Sequence, residues 1–271
     1  MADFYLLGNS TRIQMFGAVI KTKNKTIVID GGSIGDGNQL IDFLSTNCNS
    51  HVDAWFFTHP HHDHIGAFYD IQNKPNAIQV EKIYHCFPPL SDLKKYENRW
   101  DEEVAIWEYI SKLFDGDWKE KVSILRKGDS IQIGNVTIKI LRVFNPNIIN
   151  NFVNNSSLVF RIDSLHKSIL ILGDLGVEGC EELMGACPLS DLQTDYTQMS
   201  HHGQCGCSKE FYQYIQPKAC IWPAPEWLWN NDPGDGFNTG PWQTLETREW
   251  MQKLGVEKHL IEKDGIQRIE I

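Results

Sequence analysis

The stretch THPHHDHIGA, Thr58 to Ala67, sets four histidines and one aspartate into the six positions 59–64. Imidazole nitrogens and carboxylates are borderline to hard donors, and their convergence suits a divalent cation such as zinc, manganese or iron. The competing explanation is a solvated polar loop, which is adequate for one histidine and poor for H-x-H-x-D-H after a buried strand. A divalent cation lowers the pKa of a bound water from about 15.7 towards roughly 7, so the chemistry on offer is hydrolysis. Two further sequence signals supply donors of the same kind: ILILGD ends on Asp174, and SHHG carries His201 and His202.

The elements that must position these groups follow from pattern. VDAWFFTH is apolar and β-branched, as in a buried strand, and Pro60 forbids an ordinary helix through the histidines. The histidines therefore sit where a strand gives way to a loop. DHIGAFYDIQ then predicts a short helix with Asp63 at the N-cap. Strands are expected at FYLLG, MFGAVIKT, KTIVIDGG, EKIYHC, KVSILRKG, DSIQIG, VTIKILRV, SSLVFRID, SILILGD, YTQMS, KACIWP and IQRIEI. Helices are expected at NQLIDFLSTN, SKEFYQYIQ and TLETREWMQKLG, with a long one over SDLKKYENRWDEEVAIWEYISKLFDG. In that long stretch Val104, Ile106, Trp107, Ile110, Leu113 and Phe114 recur at near-helical spacing, which marks a core face. Strand blocks followed by helices in each half suggest an α/β chain with two sheets face to face and helices outside, a layout that periodicity alone does not choose over other α/β arrangements.

Composition bounds the function. At 271 residues, 41% hydrophobic and 22% charged, the chain reads as a globular protein with a large core, and no linker or repeat divides it, so a single domain over 1–271 is expected. A formal net charge of -10 disfavours non-specific binding to nucleic acid, although it leaves room for a local basic groove. The N-terminus MADFYLLGNSTRIQ has neither a signal-peptide pattern nor a membrane span. Seven cysteines in an apolar background suit reduced thiols and a cytoplasmic location.

The order Asp30 at a strand end, HPHHDH, Asp174 after ILILG, then SHHG resembles the metallo-β-lactamase superfamily across nearly the whole chain. That resemblance implies a four-layer αββα sandwich with one or two zinc ions, or manganese or iron, at the rim between the sheets. By the same resemblance His59 and His61 hold the first metal, Asp63 and His64 the second. Asp174 bridges, and one histidine of the SHHG pair completes the second site; we assign His202 to the metal and leave His201 for the substrate. Asp30 would fix a ligand's tautomer or position from behind. Most members carry a further histidine before the bridging aspartate. Here His85 falls too early and His166 lies in a turn, while Asn154-Asn155-Ser156-Ser157 occupies the interval, with Asn155 and Ser156 expected behind the ligands. The same departure occurs in the hydrolase domain of bacterial competence DNA-uptake channels, which the chain resembles most; phosphorylcholine esterases are also similar.

The implied reaction is hydrolysis of a phosphodiester, in which two metals about 3.5–4 Å apart clamp the attacking and leaving oxygens. Asp63 and His201 are the catalytic candidates, His201 protonating a leaving group or holding an oxyanion. Gln204 is a candidate amide donor to substrate. In IWPAPEWLWNNDPGDGFNTGPW, Trp222, Trp227 and Trp229, with Trp242, either wall the site against a small-molecule substrate or plug the sandwich edge. Cys205 and Cys207 are expected to be ordinary thiols rather than zinc ligands. Carboxylic or lactone ester hydrolysis and a non-catalytic metal-binding module of the same fold are the alternatives.

Overall fold

The computed structural model describes residues 1–75, 77–97 and 101–271. In chain order its strands are β1 (Asp3–Leu6), β2 (Gly17–Lys21), β3 (Thr26–Asp30), β4 (His51–Val52), β5 (Ala54–Phe56), β6 (Gln79–Val80), β7 (Ile83–His85), β8 (Val122–Ile124), β9 (Ser130–Ile133), β10 (Val136–Arg142), β11 (Val159–Asp163), β12 (Ser168–Ile171), β13 (Tyr196–Gln198), β14 (Ala219–Trp222), β15 (Lys258–Ile261) and β16 (Gln267–Glu270). The helices are α1 (Gly37–Cys48), α2 (His62–Gln72), α3 (Leu90–Tyr96), α4 (Asp101–Asp115), α5 (Phe152–Asn155), α6 (Val177–Ala186), α7 (Leu189–Leu192), α8 (Lys209–Ile215), α9 (Glu226–Trp229) and α10 (Thr244–Lys253).

One sheet orders its strands β16-β1-β2-β3-β5-β7-β8, the other β15-β14-β13-β12-β11-β10-β9. Side-chain alternation divides each strand between two cores. In β3, Ile27 and Ile29 face the second sheet while Val28 faces helices; in β12, Ile169 and Ile171 face inward while Leu170 faces out. Between the sheets Phe56 stacks on Tyr84 at 4.7 Å and meets Phe160 of the opposite sheet at 5.6 Å. Outside the first sheet, Trp55 and Val28 pack with Leu44, Phe68 and Trp107 of α1, α2 and α4. Outside the second, Leu170 packs with Leu183, Phe211 and Met251 of α6, α8 and α10. These are the four layers of an αββα sandwich. The two strands β4 and β6 form a small separate ladder.

Three local expectations are corrected. Asp63 is not the cap of α2: His61 holds that position with extended backbone, and Asp63 sits in the first turn, where its charge complements the helix dipole. The long helical stretch is two helices, because α3 ends at Glu97, whose φ of -116 and ψ of 112 are extended; the expected residues 98–100 lie outside the described ones. Of its apolar stripe, Ile106, Trp107, Ile110 and Phe114 are buried and Val104 and Leu113 half-buried. Finally, the thiols are not all free. Cys180 of α6 and Cys207, with Cα atoms 5.7 Å apart, form a disulfide, which removes Cys207 as a zinc ligand. Cys48, Cys86, Cys187, Cys205 and Cys220 remain free, Cys205 exposed. Among the described residues no helix is long and apolar enough to cross a membrane.

Candidate metal centre

The donors sit past the carboxyl ends of parallel strands in both sheets. Strand β5 pairs in parallel with β3 and runs on through Phe57 and Thr58 to His59; β12 pairs in parallel with β13, and these continue to Asp174 and to His201-His202. Asp30 closes β3 with a left-handed φ of 53 and so turns its carboxylate across to the next strand end. There it accepts from Thr58 N–H at 2.7 Å and from Thr58 Oγ1 at 2.6 Å. Gly66 lets α2 lie against the turn after β3: a Cβ there would stand 2.3 Å from Ile34 N. His201 and His202 both adopt left-handed backbone (φ 51 and 58), a conformation that non-glycine residues rarely occupy and that clusters at functional sites.

Two sets of donors converge. Asp63, His64, Asp174 and His202 form one group, His59, His61 and Asp174 the other, each with ligand atoms within 4.8 Å of one another. In the first group His202 Nε2 lies 3.2 Å from both Asp63 Oδ2 and Asp174 Oδ2, and His64 Nε2 is 3.2 Å from Asp174 Oδ1. In the second, His59 Nε2 is 3.0 Å from His61 Nδ1 and 3.8 Å from Asp174 Oδ2. Donors bonded to one tetrahedral zinc at 2.0–2.1 Å stand about 3.3 Å apart, so these separations match the edges of a coordination shell.

The far side of each ring is already engaged. His64 Nδ1 donates to Asp30 Oδ2 at 2.7 Å, and His202 Nδ1 to the Pro223 carbonyl at 2.8 Å. His59 Nδ1 meets Thr58 Oγ1 at 3.1 Å. This fixes tautomers that leave Nε2 of each ring for a cation. His64 Nε2, His202 Nε2 and Asp174 Oδ1 are fully buried without a hydrogen-bond partner, which is the condition a cation relieves and an ordinary core does not tolerate. The residues present therefore fit a divalent metal.

Charge balance points the same way. Burial opposes ionisation of Asp63, yet the adjacent His202, 3.2 Å away, and the nearby His64 hold its carboxyl well below the usual range; His202 and His64 do the same for Asp174. Burial alone would lower His202, but Asp174 and Asp63 push it up to about 10, and Asp174 with Asp30 raises His64 well above an ordinary histidine. His59 is held well below its usual value by burial, assisted by His64. Two carboxylates thus gather positive charge around themselves, as they would gather a cation.

Residues 14–147, which carry His59, His61, Asp63 and His64, match the family model described as the metallo-beta-lactamase superfamily. Over 185 residues, 67% of this chain, the sequence is 30% identical to ComE operon protein 3 of Bacillus subtilis (strain 168). The chain belongs to the metallo-beta-lactamase superfamily. It spans only 21% of that relative's length. In fold this metallo-beta-lactamase chain is similar to the metallo-beta-lactamase fold protein YhfI from Bacillus subtilis, with TM-score 0.56, 14% identity and 100% of both chains covered. It is similar also to a diphosphatase of the PhnP family, with TM-score 0.51, 14% identity, and 100% of this chain and 98% of that one covered.

Within this metallo-beta-lactamase chain the remaining candidates fall unevenly. Asn155 and Ser156 do not touch the donors. Asn155 Oδ1 accepts from Gly176 N–H and Gly179 N–H at 3.0 and 3.1 Å, securing the start of α6, and Ser156 Oγ donates to the Val153 carbonyl. Their neighbours face the site instead. Ser157 Oγ accepts from Asp174 N–H at 3.0 Å; Asn154 Nδ2 lies 3.5 Å from His201 Nε2, and its buried Oδ1 has no partner. Neither His85 of β7 nor exposed His166 joins either donor group.

One N–H of the Gln204 amide is committed to Gln14 Oε1 at 3.0 Å, while Gln14 Nε2 donates to Asp63 Oδ2 at 3.0 Å. Sequence reasoning missed Gln14, since nothing local marks a contact across 190 residues. It missed Glu103 too, whose buried carboxylate bonds His62 Nδ1 at 2.8 Å and so occupies the one histidine of the motif that joins neither donor group. The tryptophans split. Trp222 is a core residue, fully buried, with Nε1 donating to His259, and cannot wall a substrate site. Trp229 packs edge-on against Trp222, with Arg248 3.9 Å over its ring. Trp227 pairs with Trp242 at 4.7 Å and lines a cleft of about 800 Å³ together with Arg12 and Glu226.

Proposed function

We propose that the protein is a metal-dependent phosphodiester hydrolase acting through a binuclear site, most naturally zinc. The observation that carries this reading is the position of Asp174 in both donor groups, with Oδ1 and the Nε2 atoms of His64 and His202 buried and unpartnered. His59, His61 and Asp174 would hold one cation; Asp63, His64, Asp174 and His202 the other. When bound, the pair would supply Lewis acidity and an acidified water at neutral pH. Asp30 and the Pro223 carbonyl keep the His64 and His202 ring protons on Nδ1, and Gln14 holds the Asp63 carboxylate in place.

His201, with a fifth of its side chain exposed, stands at the edge of the site, 4.0 Å from Asp174 Oδ2. Burial lowers its pKa, so at neutral pH it is a neutral imidazole. This suits a contact to a developing oxyanion better than delivery of a proton to the leaving group. Asn154, beside it, would turn an amide towards the same oxygen. The substrate is read as a small molecule or other phosphodiester, with the net charge of -10 disfavouring a long nucleic acid.

The test is turnover of bis(p-nitrophenyl) phosphate against p-nitrophenyl acetate by zinc-loaded protein, for wild type and Asp63→Ala. Near two zinc ions per chain and phosphodiester turnover abolished by the substitution are expected. Ester turnover without phosphodiester turnover would place the activity with carboxylic or lactone esters. Full zinc loading with neither activity would leave a binding module.

A further inference from the structure

Behind the loop that carries the histidines lies a cavity of about 470 Å³, within the range of small-molecule sites, and none of the cation donors lines it. Pro60 and Ile65 form the wall nearest the donors, Phe87 the strand end after β7, and Leu93 and Ile110 the cover from α3 and α4. Such a lining would hold an apolar body of any shape that fits. Its specificity has to come from the polar groups set into it; of these Asp115 is exposed and Ser111 half-buried, and the buried one is His85.

His85 closes β7 and is 8% exposed. Its Nδ1 accepts a hydrogen bond from Phe87 N–H at 3.1 Å, so the ring proton of the neutral imidazole sits on Nε2. Burial lowers the His85 pKa to about 4, which keeps the ring neutral at physiological pH. The rings of Phe87 and Phe114, at 4.6 and 5.2 Å, hold the imidazole in one orientation. Among the described residues nothing accepts from Nε2–H. A mostly buried donor without a protein acceptor is completed by water or by a ligand oxygen.

The sign of charge is set by the rest of the lining. No lysine or arginine lines the cavity among the described residues, whereas Asp115 does. An anionic head group would meet a carboxylate and no cation; an ammonium at the buried end would meet the His85 N–H donor, since Asp115 is exposed and its charge solvated. We propose that this cavity is a binding site, separate from the hydrolytic centre, for an uncharged and largely apolar small molecule whose carbonyl or ether oxygen accepts a hydrogen bond from His85 Nε2–H. Its occupant rests on Pro60, whose carbonyl is held by Trp107 Nε1 at 2.6 Å, and so touches the back of the segment between His59 and His61.

The probe is benzylacetone, compared with n-butylbenzene, phenylbutyrate and phenylbutylamine, by calorimetric titration and by imidazole ¹⁵N–¹H spectra of the full chain. Wild type is expected to bind the ketone about tenfold more tightly than the hydrocarbon, the scale of one buried hydrogen bond. The His85 Nε2–H resonance should move on titration. His85→Phe keeps a ring in the cavity and should erase the preference while still binding n-butylbenzene; Ile110→Trp fills the space and should bind neither. If His85→Phe fails to fold, the wild-type resonance decides. No binding by wild type, an unmoved Nε2–H signal, an unchanged preference in His85→Phe, or tighter binding of the acid or the amine overturns the proposal.

Discussion

Replacing Asp30 by asparagine would test how the protein orients His64. The carboxylate accepts three hydrogen bonds, from Thr58 N–H at 2.7 Å, Thr58 Oγ1 at 2.6 Å and His64 Nδ1 at 2.7 Å, in a place with no solvent exposure. Asparagine keeps one acceptor and turns the other into a donor. With its oxygen left on Thr58 N–H, its NH2 group faces His64 Nδ1, which must then accept, and the imidazole proton moves to Nε2. A protonated Nε2 cannot ligate a cation. With the amide turned the other way, NH2 meets Thr58 N–H and leaves a buried donor unsatisfied, at a cost of about 1–3 kcal/mol. Either outcome has the size of the roughly 10- to 100-fold loss of affinity expected when the partner of a ligating histidine is altered. Zinc competition against a chromophoric chelator reads the affinity, and imidazole ¹⁵N spectra read the tautomer. Affinity within twofold of wild type would refute the argument, and the His64 tautomer tells which of the two amide orientations the variant takes.

Zinc affinity should rise with pH, because His64 and His202 carry raised pKa values and must release protons to bind. In chelator-treated protein the sign reverses. The contribution of His202, with ordinary value 6.5 and folded value about 10, is complete below 6.5 and gone above about 10. That of Asp63 and Asp174 is present above 3.8 and lost as the pH falls further. The zinc-induced rise in Tm should therefore grow from about pH 6 to pH 9, and an equal rise at both would contradict it. Gly66→Ala should lower the unfolding free energy by at least about 1–3 kcal/mol in urea, since the new Cβ meets the backbone of Ser33 and Ile34; an unshifted midpoint would show that α2 can move away. Denatured without reductant, the chain should titrate as five thiols, and reduction should lower stability by about 3–4 kcal/mol for a crosslink spanning 27 residues; seven thiols would remove the disulfide.

What could be read from the sequence was what local pattern encodes. The strand into His59 and the Pro60 break were legible because apolar runs and proline act within a few residues. So was the core stripe of α4, whereas the two-sheet layering rested on the resemblance carried by the order of the site motifs. Helix α6 was missed because VEGCEELMGA buries only Gly179, Cys180 and Leu183, too weak a period to register. Trp222 could be read as wall or core from its type alone; only the packing of Gly203 against its ring and the bond to His259 separate the two. In the segment 154–157 the right positions were chosen one residue out of place, since a short helix turns Asn155 and Ser156 away while bringing Asn154 and Ser157 to the site. Gln14 and Glu103 belong to contacts across 49 and 41 residues, which no short window contains.

The donors are divided between the sheets: His59, His61, Asp63 and His64 follow strands of one, Asp174 and His202 strands of the other. The apolar layer between the sheets resists separation but has no direction, so it opposes sliding only through the fit of its side chains. Coordination bonds are directional. A centre bridging these donors would act as a rivet through two plates, stiffening the sandwich against shear. Its removal would then be felt along the whole seam, in amide exchange at strands far from any histidine, and not only at the rim where the chemistry takes place.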